Sequence, residues 1–272
     1  MEKLPNLKIV RVDKLRLHET VDPSRVAKLK KIISQADLFT NPPIVSYMPS
    51  IDKYLVLDGA NRTTCLRELN YKYILVQVVQ YSMPEVNLLT WNHFVSGISL
   101  KNILENNSQI NFKKIQSSAA AKKMISKGQA VAYLTDGKSI YTANCSDGFK
   151  EKISILNSIV GIYKGKYVFN RVLGDDYKDL KKEYPKDNVL FVFNKFVHRD
   201  IVNVTKMRLY VPSGITRHII QGRALRVDIP LEWLNGEFSL TVSNDKLKKL
   251  IQERMPLGKI RYYNEPTYIF ND

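Results

Sequence analysis

Apolar and polar residues in the first part of the chain alternate in a pattern that predicts a small mixed module. Residues 8–17 alternate as a strand does, and Asp22 with Pro23 then supplies a helix N-cap and a first helical residue. The apolar spacing after Pro23 predicts a helix whose buried stripe contains Val26, Leu29, Ile32 and Ile33. Asn41-Pro42-Pro43 ends that helix.

The next apolar runs complete the module. Residues 44–47 and 54–57 read as a strand pair, 61–69 as a helix and 74–79 as a further strand. The order is therefore strand, helix, hairpin, helix, strand, which is typical of an α+β fold. We expect one domain at 1–85 and a second α+β domain at 86–272.

The remaining patterns are also mixed, as the second α+β domain requires. Periodicity predicts helices at 99–106, 117–127, 149–160, 175–184 and 244–254. It predicts strands at 130–134, 189–194, 217–220, 224–228 and 259–263.

Composition narrows the class of protein. A hydrophobic content of 44% over 272 residues is typical of a folded chain and excludes a disordered one. No apolar run reaches the roughly 18 residues that a membrane span needs, and the start lacks the apolar stretch of a signal peptide. We therefore expect a cytoplasmic protein with no membrane partner. Its two cysteines, Cys65 and Cys145, fit a reducing compartment.

The formal net charge of +16 favours an anionic partner, such as a nucleotide, a nucleic acid or an acidic metabolite. The excess is diffuse, however, and its short lysine runs lie on amphipathic helical patterns, where a solvated face is the ordinary explanation. The charge makes DNA a candidate partner without indicating a DNA-reading element.

Standard nucleotide and metal motifs are absent from the sequence. GIYKGK at 161–166 is one residue too short for a P-loop, and no GxGxxG occurs. The four histidines are scattered, with no HxxxH or HxH spacing, so a structural zinc site is excluded.

One junction does carry the signature of a phosphate site. In YLVLDGANRTTCLREL, a buried strand at Tyr54–Leu57 gives way to a helix within a few residues. The helix start would consist of Gly59, Ala60, Asn61, Arg62 and Thr63. Its backbone N–H groups and the positive end of its dipole would point at one spot, where a phosphate could bind. The structural alternative is an Asp58 N-cap followed by a glycine that eases the turn.

Three further polar groups lie at the edges of apolar elements. They are His18-Glu19-Thr20, the pair Trp91 and His93, and Thr216-Arg217-His218. Each has an ordinary structural explanation: a solvated glutamate, a core tryptophan, an exposed hairpin face. Together they are the residue types that phosphoryl transfer to a hydroxyl uses, and Glu19 and Asp58 follow strands that allow them to share a cleft.

These motifs resemble those of a known family. LHET at 17–20, DG-x-x-R at 58–62 and P-x-G-x-T-R at 212–217 are similar, in that order, to the free serine kinases, whose N-terminal module is ParB/sulfiredoxin-like. The resemblance continues in WNH at 91–93, in 211–234 and in 260–270, and is weakest at about 100–205. It implies phosphorylation of free L-serine to O-phospho-L-serine with ATP or ADP and Mg²⁺, in a pathway to 2,3-diaminopropionate or a siderophore.

The resemblance also implies a role for each candidate residue. Glu19 would be the catalytic base, and Asp58 a second carboxylate that holds the metal. The nucleotide phosphates would bind Gly59, Ala60, Asn61, Arg62 and Thr63. The amino-acid pocket would be shaped by Trp91, His93, Thr216, Arg217 and His218.

The sequence departs from the family at one place and leaves a second function open. Asn61 stands where the relatives usually have histidine, so it can donate a hydrogen bond but cannot carry charge. Sulfiredoxin chemistry is excluded because its cysteine is missing from the turn before Arg62. The alternative is a DNA-binding transcriptional regulator that responds to an effector such as haem, although no helix-turn-helix segment is evident.

Overall fold

A computed structural model describes residues 4–146, 148–184, 188–256 and 259–262. The helices in these ranges are α1 (Pro23–Ile33), α2 (Ala60–Glu68), α3 (Leu100–Glu105), α4 (Ser118–Ser126), α5 (Phe149–Tyr163), α6 (Tyr177–Glu183), α7 (His198–Lys206), α8 (Glu232–Asn235) and α9 (Leu240–Arg254). The strands are β1 (Leu7–Arg11), β2 (Leu15–Leu17), β3 (Leu38–Phe39), β4 (Ile44–Met48), β5 (Lys53–Asp58), β6 (Tyr73–Val78), β7 (Val86–Thr90), β8 (Asn92–Ser96), β9 (Phe112–Ile115), β10 (Ala130–Thr135), β11 (Ile140–Asn144), β12 (Phe169–Val172), β13 (Asn188–Phe193), β14 (Thr216–Ile220) and β15 (Ile229–Pro230).

The chain divides into two compact units, called unit 1 and unit 2 below. Unit 1 contains the residues up to Arg16, Val21–Val86 and the segment from Ile220 onward. Unit 2 contains Leu17–Thr20 and Asn87–Ile219. The expected domains, 1–85 and 86–272, therefore differ from the units at 17–20 and beyond 220.

Specific hydrogen bonds explain both differences. Asn244 on α9 binds both polar groups of the Ile9 backbone, accepting from its N–H at 3.0 Å and donating to its carbonyl at 2.9 Å. In unit 2, Thr20 N–H donates to the Val211 carbonyl at 2.9 Å and Val211 N–H donates to the His18 carbonyl at 2.8 Å. These pairings join residues far apart in sequence, and local periodicity carries no information about them.

Unit 1 is built on a five-stranded sheet with the order β1-β6-β4-β5-β2. The pair β4 and β6 is parallel, whereas β1 with β6 and β4 with β5 are antiparallel. The helix α1 begins as expected, because Asp22 accepts hydrogen bonds from Ser24 N–H at 3.0 Å and Arg25 N–H at 3.3 Å. Fully buried residues of this unit include Ile9, Leu15, Leu55, Leu66, Ile74 and Leu75.

Unit 2 is built on a six-stranded sheet with the order β12-β8-β13-β10-β11-β9. The strand pairs in this sheet are antiparallel. The helix α5 buries one apolar face, and several of the largest core side chains are aromatic. Fully buried examples are Phe94, Tyr133, Tyr163 and Phe191. The α+β fold class expected from the sequence is thus confirmed.

Four local expectations were wrong. Residues 8–17 form two strands instead of one, because Val12–Lys14 are a turn of 3-10 helix between β1 and β2. Ile32 is 62% exposed and does not belong to the buried stripe of α1, which keeps Val26 and Ile33. Residues 224–228 form no strand, because the N–H groups of Ala224 and Arg226 bond to side chains and Arg226 has a φ of 50°. The strand expected at 259–263 is absent over 259–262, and 263 lies outside the described residues.

Candidate functional site

The start of α2 is an uncapped helix end directly after β5. Gly59 occupies the N-cap position with a φ of 93°, a left-handed conformation that favours glycine. A Cβ at this position would lie 2.8 Å from Pro43 Cβ, so the close approach also requires glycine. Because glycine offers no capping side chain, the first N–H groups of α2 present their positive end to a ligand.

A carboxylate and two arginines lie at this helix end, all within unit 1. Arg223 Nη1 lies 2.8 Å from Asp58 Oδ2, and Arg62 Nη2 lies 3.6 Å from the same oxygen. Arg62 is the arginine of the DG-x-x-R motif. Arg223 was not among the candidates from the sequence, because no periodicity or spacing connects it with Asp58. The group carries one net positive charge, which suits a phosphate.

Asn61, Ala60 and Thr63 complete the start of α2, and each has a different environment. Asn61 Oδ1 accepts a hydrogen bond from Asp22 N–H at 3.1 Å, which ties the start of α2 to the start of α1. Ala60 and Thr63 are buried; the backbone N–H of Ala60 is suited to meet a phosphate, whereas the Thr63 N–H donates to the Gly59 carbonyl at 2.9 Å inside the helix. The Thr63 hydroxyl has no hydrogen-bond partner among the described residues.

In unit 2, Glu19 lies beside the segment 211–215, which leads into β14. Glu19 forms a parallel bridge with Val211, and Thr20 Oγ1 accepts from Ser213 N–H at 3.0 Å. The Glu19 side chain has no ion-pair partner among the described residues. A half-buried carboxylate without a fixed cation is suited to accept a proton.

Residues 216–218 lie on β14 and make two separate contacts in unit 2, because alternate side chains of a strand face opposite sides. His18 Nε2 lies 3.0 Å from Thr216 Oγ1, and the rings of His18 and His218 meet edge to face at 5.2 Å. The Arg217 guanidinium lies over the Trp91 ring, 4.3 Å from its centroid. This cation–π contact orients the guanidinium.

His93 has a supporting position instead of an exposed one. It is completely buried; Nε2 lies 2.9 Å from the Gly214 carbonyl oxygen and Nδ1 lies 2.5 Å from the Tyr163 hydroxyl. Since a carbonyl only accepts, Nε2 carries the proton and Tyr163 donates to Nδ1. The pKa of His93 is lowered from 6.5 to about 4, chiefly by burial; the hydrogen bond to the Gly214 carbonyl opposes this shift, and the positive charges of Arg171 and Lys164 add to it. His93 is thus a neutral ring that supports the backbone at Gly214, just before β14.

Over the described ranges, no three His, Cys, Asp or Glu side chains are grouped so as to hold a metal ion. In the same ranges, no helix has both the length and the apolar character to cross a membrane.

Comparison with solved structures identifies the fold. No family model matches the chain. The fold is that of the free serine kinases: a free serine kinase in complex with AMP superposes with a TM-score of 0.72 at 18% identity, covering 85% of this chain and 95% of that one.

One relative with both a solved structure and a similar sequence is SbnI of Staphylococcus aureus. A C-terminally truncated SbnI structure superposes with a TM-score of 0.74 at 24% identity, covering 92% of this chain and 97% of that one. In sequence, the chain is 26% identical to the ATP-dependent L-serine kinase SbnI over 264 residues, which are 97% of this chain and 96% of SbnI.

A second curated relative extends the similarity to archaea. The ADP-dependent L-serine kinase SerK of Thermococcus kodakarensis is 21% identical over 225 residues, or 83% of this chain and 91% of SerK. The resemblance inferred from the motifs is therefore confirmed over nearly the whole chain.

Proposed function

We propose that this chain is a kinase that phosphorylates free L-serine to O-phospho-L-serine, with ATP or ADP as the donor. The observation that carries the proposal is the match to the ATP-dependent L-serine kinase SbnI over 97% of the chain. The geometry of both units supports it: unit 1 contains a cationic helix end, and unit 2 contains a carboxylate beside a polar loop.

In the reaction we propose, Glu19 accepts the proton of the serine hydroxyl while the serine oxygen bonds to the terminal phosphorus. The bond from that phosphorus to the nucleotide oxygen breaks, which leaves ADP from ATP or AMP from ADP. The α2 start and Arg62 hold the phosphates. Trp91, Thr216, Arg217 and His218 orient the amino acid, and His93 holds their loop in place.

The donor set also fits Mg²⁺. Magnesium in nucleotide sites is usually held by one or two carboxylates together with substrate phosphates, and Asp58 is a carboxylate at the helix end. We assign Asp58 to the metal. When bound, the ion would neutralise charge that develops on the transferring phosphoryl group.

The biological setting belongs to the same proposal. Phosphoserine is an activated form of serine, and the similarity to SbnI favours a role in 2,3-diaminopropionate or siderophore biosynthesis in the cytoplasm. The second hypothesis, a DNA-binding regulator with haem as a candidate effector, has only the net charge of +16 in its favour.

The proposal is tested by incubating the purified protein with L-serine and Mg²⁺, in parallel with ATP and with ADP. Mass spectrometry should detect phosphoserine with at least one donor and none without Mg²⁺. D-serine and L-threonine in place of L-serine test the amino-acid pocket. No phosphoserine with either donor, from protein that binds nucleotide, would remove the kinase assignment.

A further inference from the structure

One buried glutamine holds the loop after β14, which contains Arg223, by hydrogen bonds to the loop backbone. Gln77, on β6, is only 3% exposed. Its side-chain amide donates to the Gly222 carbonyl at 2.9 Å, and its side-chain oxygen accepts from Ala224 N–H at 2.8 Å. Both ends of the carboxamide therefore hold the backbone on the two sides of Arg223. A buried amide that is satisfied in this way costs little and positions its partners closely.

Further contacts hold the rest of the loop. Arg226 N–H donates to Asn41 Oδ1 at 3.0 Å, and Arg254 donates to the carbonyls of Val227 and Asp228. Arg226 and Asp228 have φ values of 50° and 48°, which are costly for residues other than glycine. The loop therefore has one defined path, maintained by contacts from several elements of unit 1.

The Arg223 side chain ends at the helix start described above. Its guanidinium and that of Arg62 share one oxygen of Asp58, at 2.8 and 3.6 Å. The Arg62 head also lies over Gly59, since a Cβ on that glycine would be 3.1 Å from Arg62 Nη2. Two like charges are thus held next to the free N–H groups of α2, with the carboxylate between them offsetting their repulsion.

We propose that Arg223 is a second phosphate-binding arginine at the start of α2 and that Gln77 is its positioning residue. This inference rests on the proposed binding of nucleotide phosphates at that helix start. A nucleoside di- or triphosphate carries more negative charge than one helix end and one arginine offset, and a planar guanidinium can bind two phosphate oxygens at once. Asp58 keeps both guanidinium groups in place before the nucleotide arrives.

Calorimetry of ADP binding tests the role of Arg223. Arg223→Ala should weaken ADP binding about ten- to a hundredfold, the usual loss for one charge-assisted hydrogen-bonding group. Arg223→Gln, which keeps the stem and a polar head, should show a similar loss, and both variants should retain the wild-type thermal midpoint. Arg226→Ala is the matched control, because its side chain is exposed on the same loop. Unchanged or tighter ADP binding in Arg223→Ala would show that Arg223 only anchors Asp58 and would overturn the inference.

A double-mutant cycle tests the role of Gln77. Gln77→Leu should weaken ADP binding in the wild-type background but add nothing in the Arg223→Ala background, because its effect passes through Arg223. Equal losses in both backgrounds would make Gln77 a merely structural residue. Phosphoserine formation by the wild type is measured separately: a chain that binds ADP through Arg223 without making phosphoserine contradicts the proposed function and leaves this inference intact.

Discussion

Glu19 is the residue on which the proposed chemistry most depends. It belongs to unit 2, next to Val211, whereas the proposed phosphate site belongs to unit 1. A general base contributes only during chemistry, so Glu19→Gln should lower turnover by about 10²–10⁴-fold and leave ADP affinity nearly unchanged. The measurement is phosphoserine production at saturating substrates, paired with calorimetry.

The control for this prediction is Glu105→Gln, since Glu105 is an exposed carboxylate of the same unit. It should retain wild-type turnover. Near-normal turnover in Glu19→Gln, under conditions where chemistry limits the rate, would transfer the role of base to Asp58 or to a water molecule.

The pKa of His93 predicts how the stability of the protein depends on pH. Its pKa is lowered from 6.5 to about 4 in the folded chain, chiefly by burial. Between these values the unfolded chain binds a proton that the folded chain does not, so the free energy of unfolding falls as the pH falls. The loss of stability that results from His93 is complete below pH 4 and amounts to about 3 kcal/mol.

Denaturant unfolding of the wild type and of His93→Gln, between pH 4 and 7, measures this effect. The wild type should lose stability more steeply with falling pH than the variant does. His198→Gln is the control, because His198 is only partly buried. Identical pH dependence in the wild type and His93→Gln would show that His93 is not held neutral.

At the scale of elements, the junction of β5 and α2 combines local and long-range requirements. Gly59 allows the turn, the dipole of α2 places positive charge at its start, and Arg62 adds a positive charge on the first turn. Arg62→Ala should make ADP binding less favourable by about 1.5–3 kcal/mol, the loss of one charged hydrogen bond. Calorimetry measures it directly.

Lys31→Ala is the control for Arg62, because Lys31 is an exposed cation in the last turn of α1. Its ADP affinity should equal that of the wild type. Equal ADP affinity for Arg62→Ala and the wild type would place the phosphates away from the start of α2.

At the scale of the whole molecule, the net charge of +16 predicts how the chain meets nucleic acid. Exposed lysines distributed over many elements release counterions from DNA without reading bases. Binding to duplex DNA should therefore be independent of sequence and should weaken steeply as salt rises. Titrations of two unrelated duplexes at increasing salt test this expectation.

A different result would change the function assigned to the protein. A tight complex with one operator that persists above physiological salt requires base contacts in addition to phosphate contacts. That result would favour the regulator over the kinase. ADP added to such a complex would then show whether the two activities are coupled.

The sequence by itself determined the elements whose signals are local. The Asp22-Pro23 start predicted α1, because an acceptor side chain followed by a fixed φ favours a helix whatever surrounds it. The apolar run before Asp58 and the glycine after it predicted β5, the turn and α2 for the same reason. The order of the short motifs was sufficient to identify the class of protein.

Only the tertiary structure decided which distant groups meet. Residues 224–228 have the composition of a strand, but Gln77 and Asn41 take the N–H groups that a strand partner would need. His93 looked like a pocket residue, and the fold buries it behind Gly214.

Arg223 shows the physical reason most clearly. Gln77 and Gly222 are 145 residues apart, and their hydrogen bond forms only after the sheet and the returning chain have packed together. Helical and strand periodicities act over a few residues, whereas the position of a side chain at a site depends on burial and pairing across the whole unit. The sequence therefore determined the chemistry that each residue can perform, whereas the fold decided which other residues it contacts.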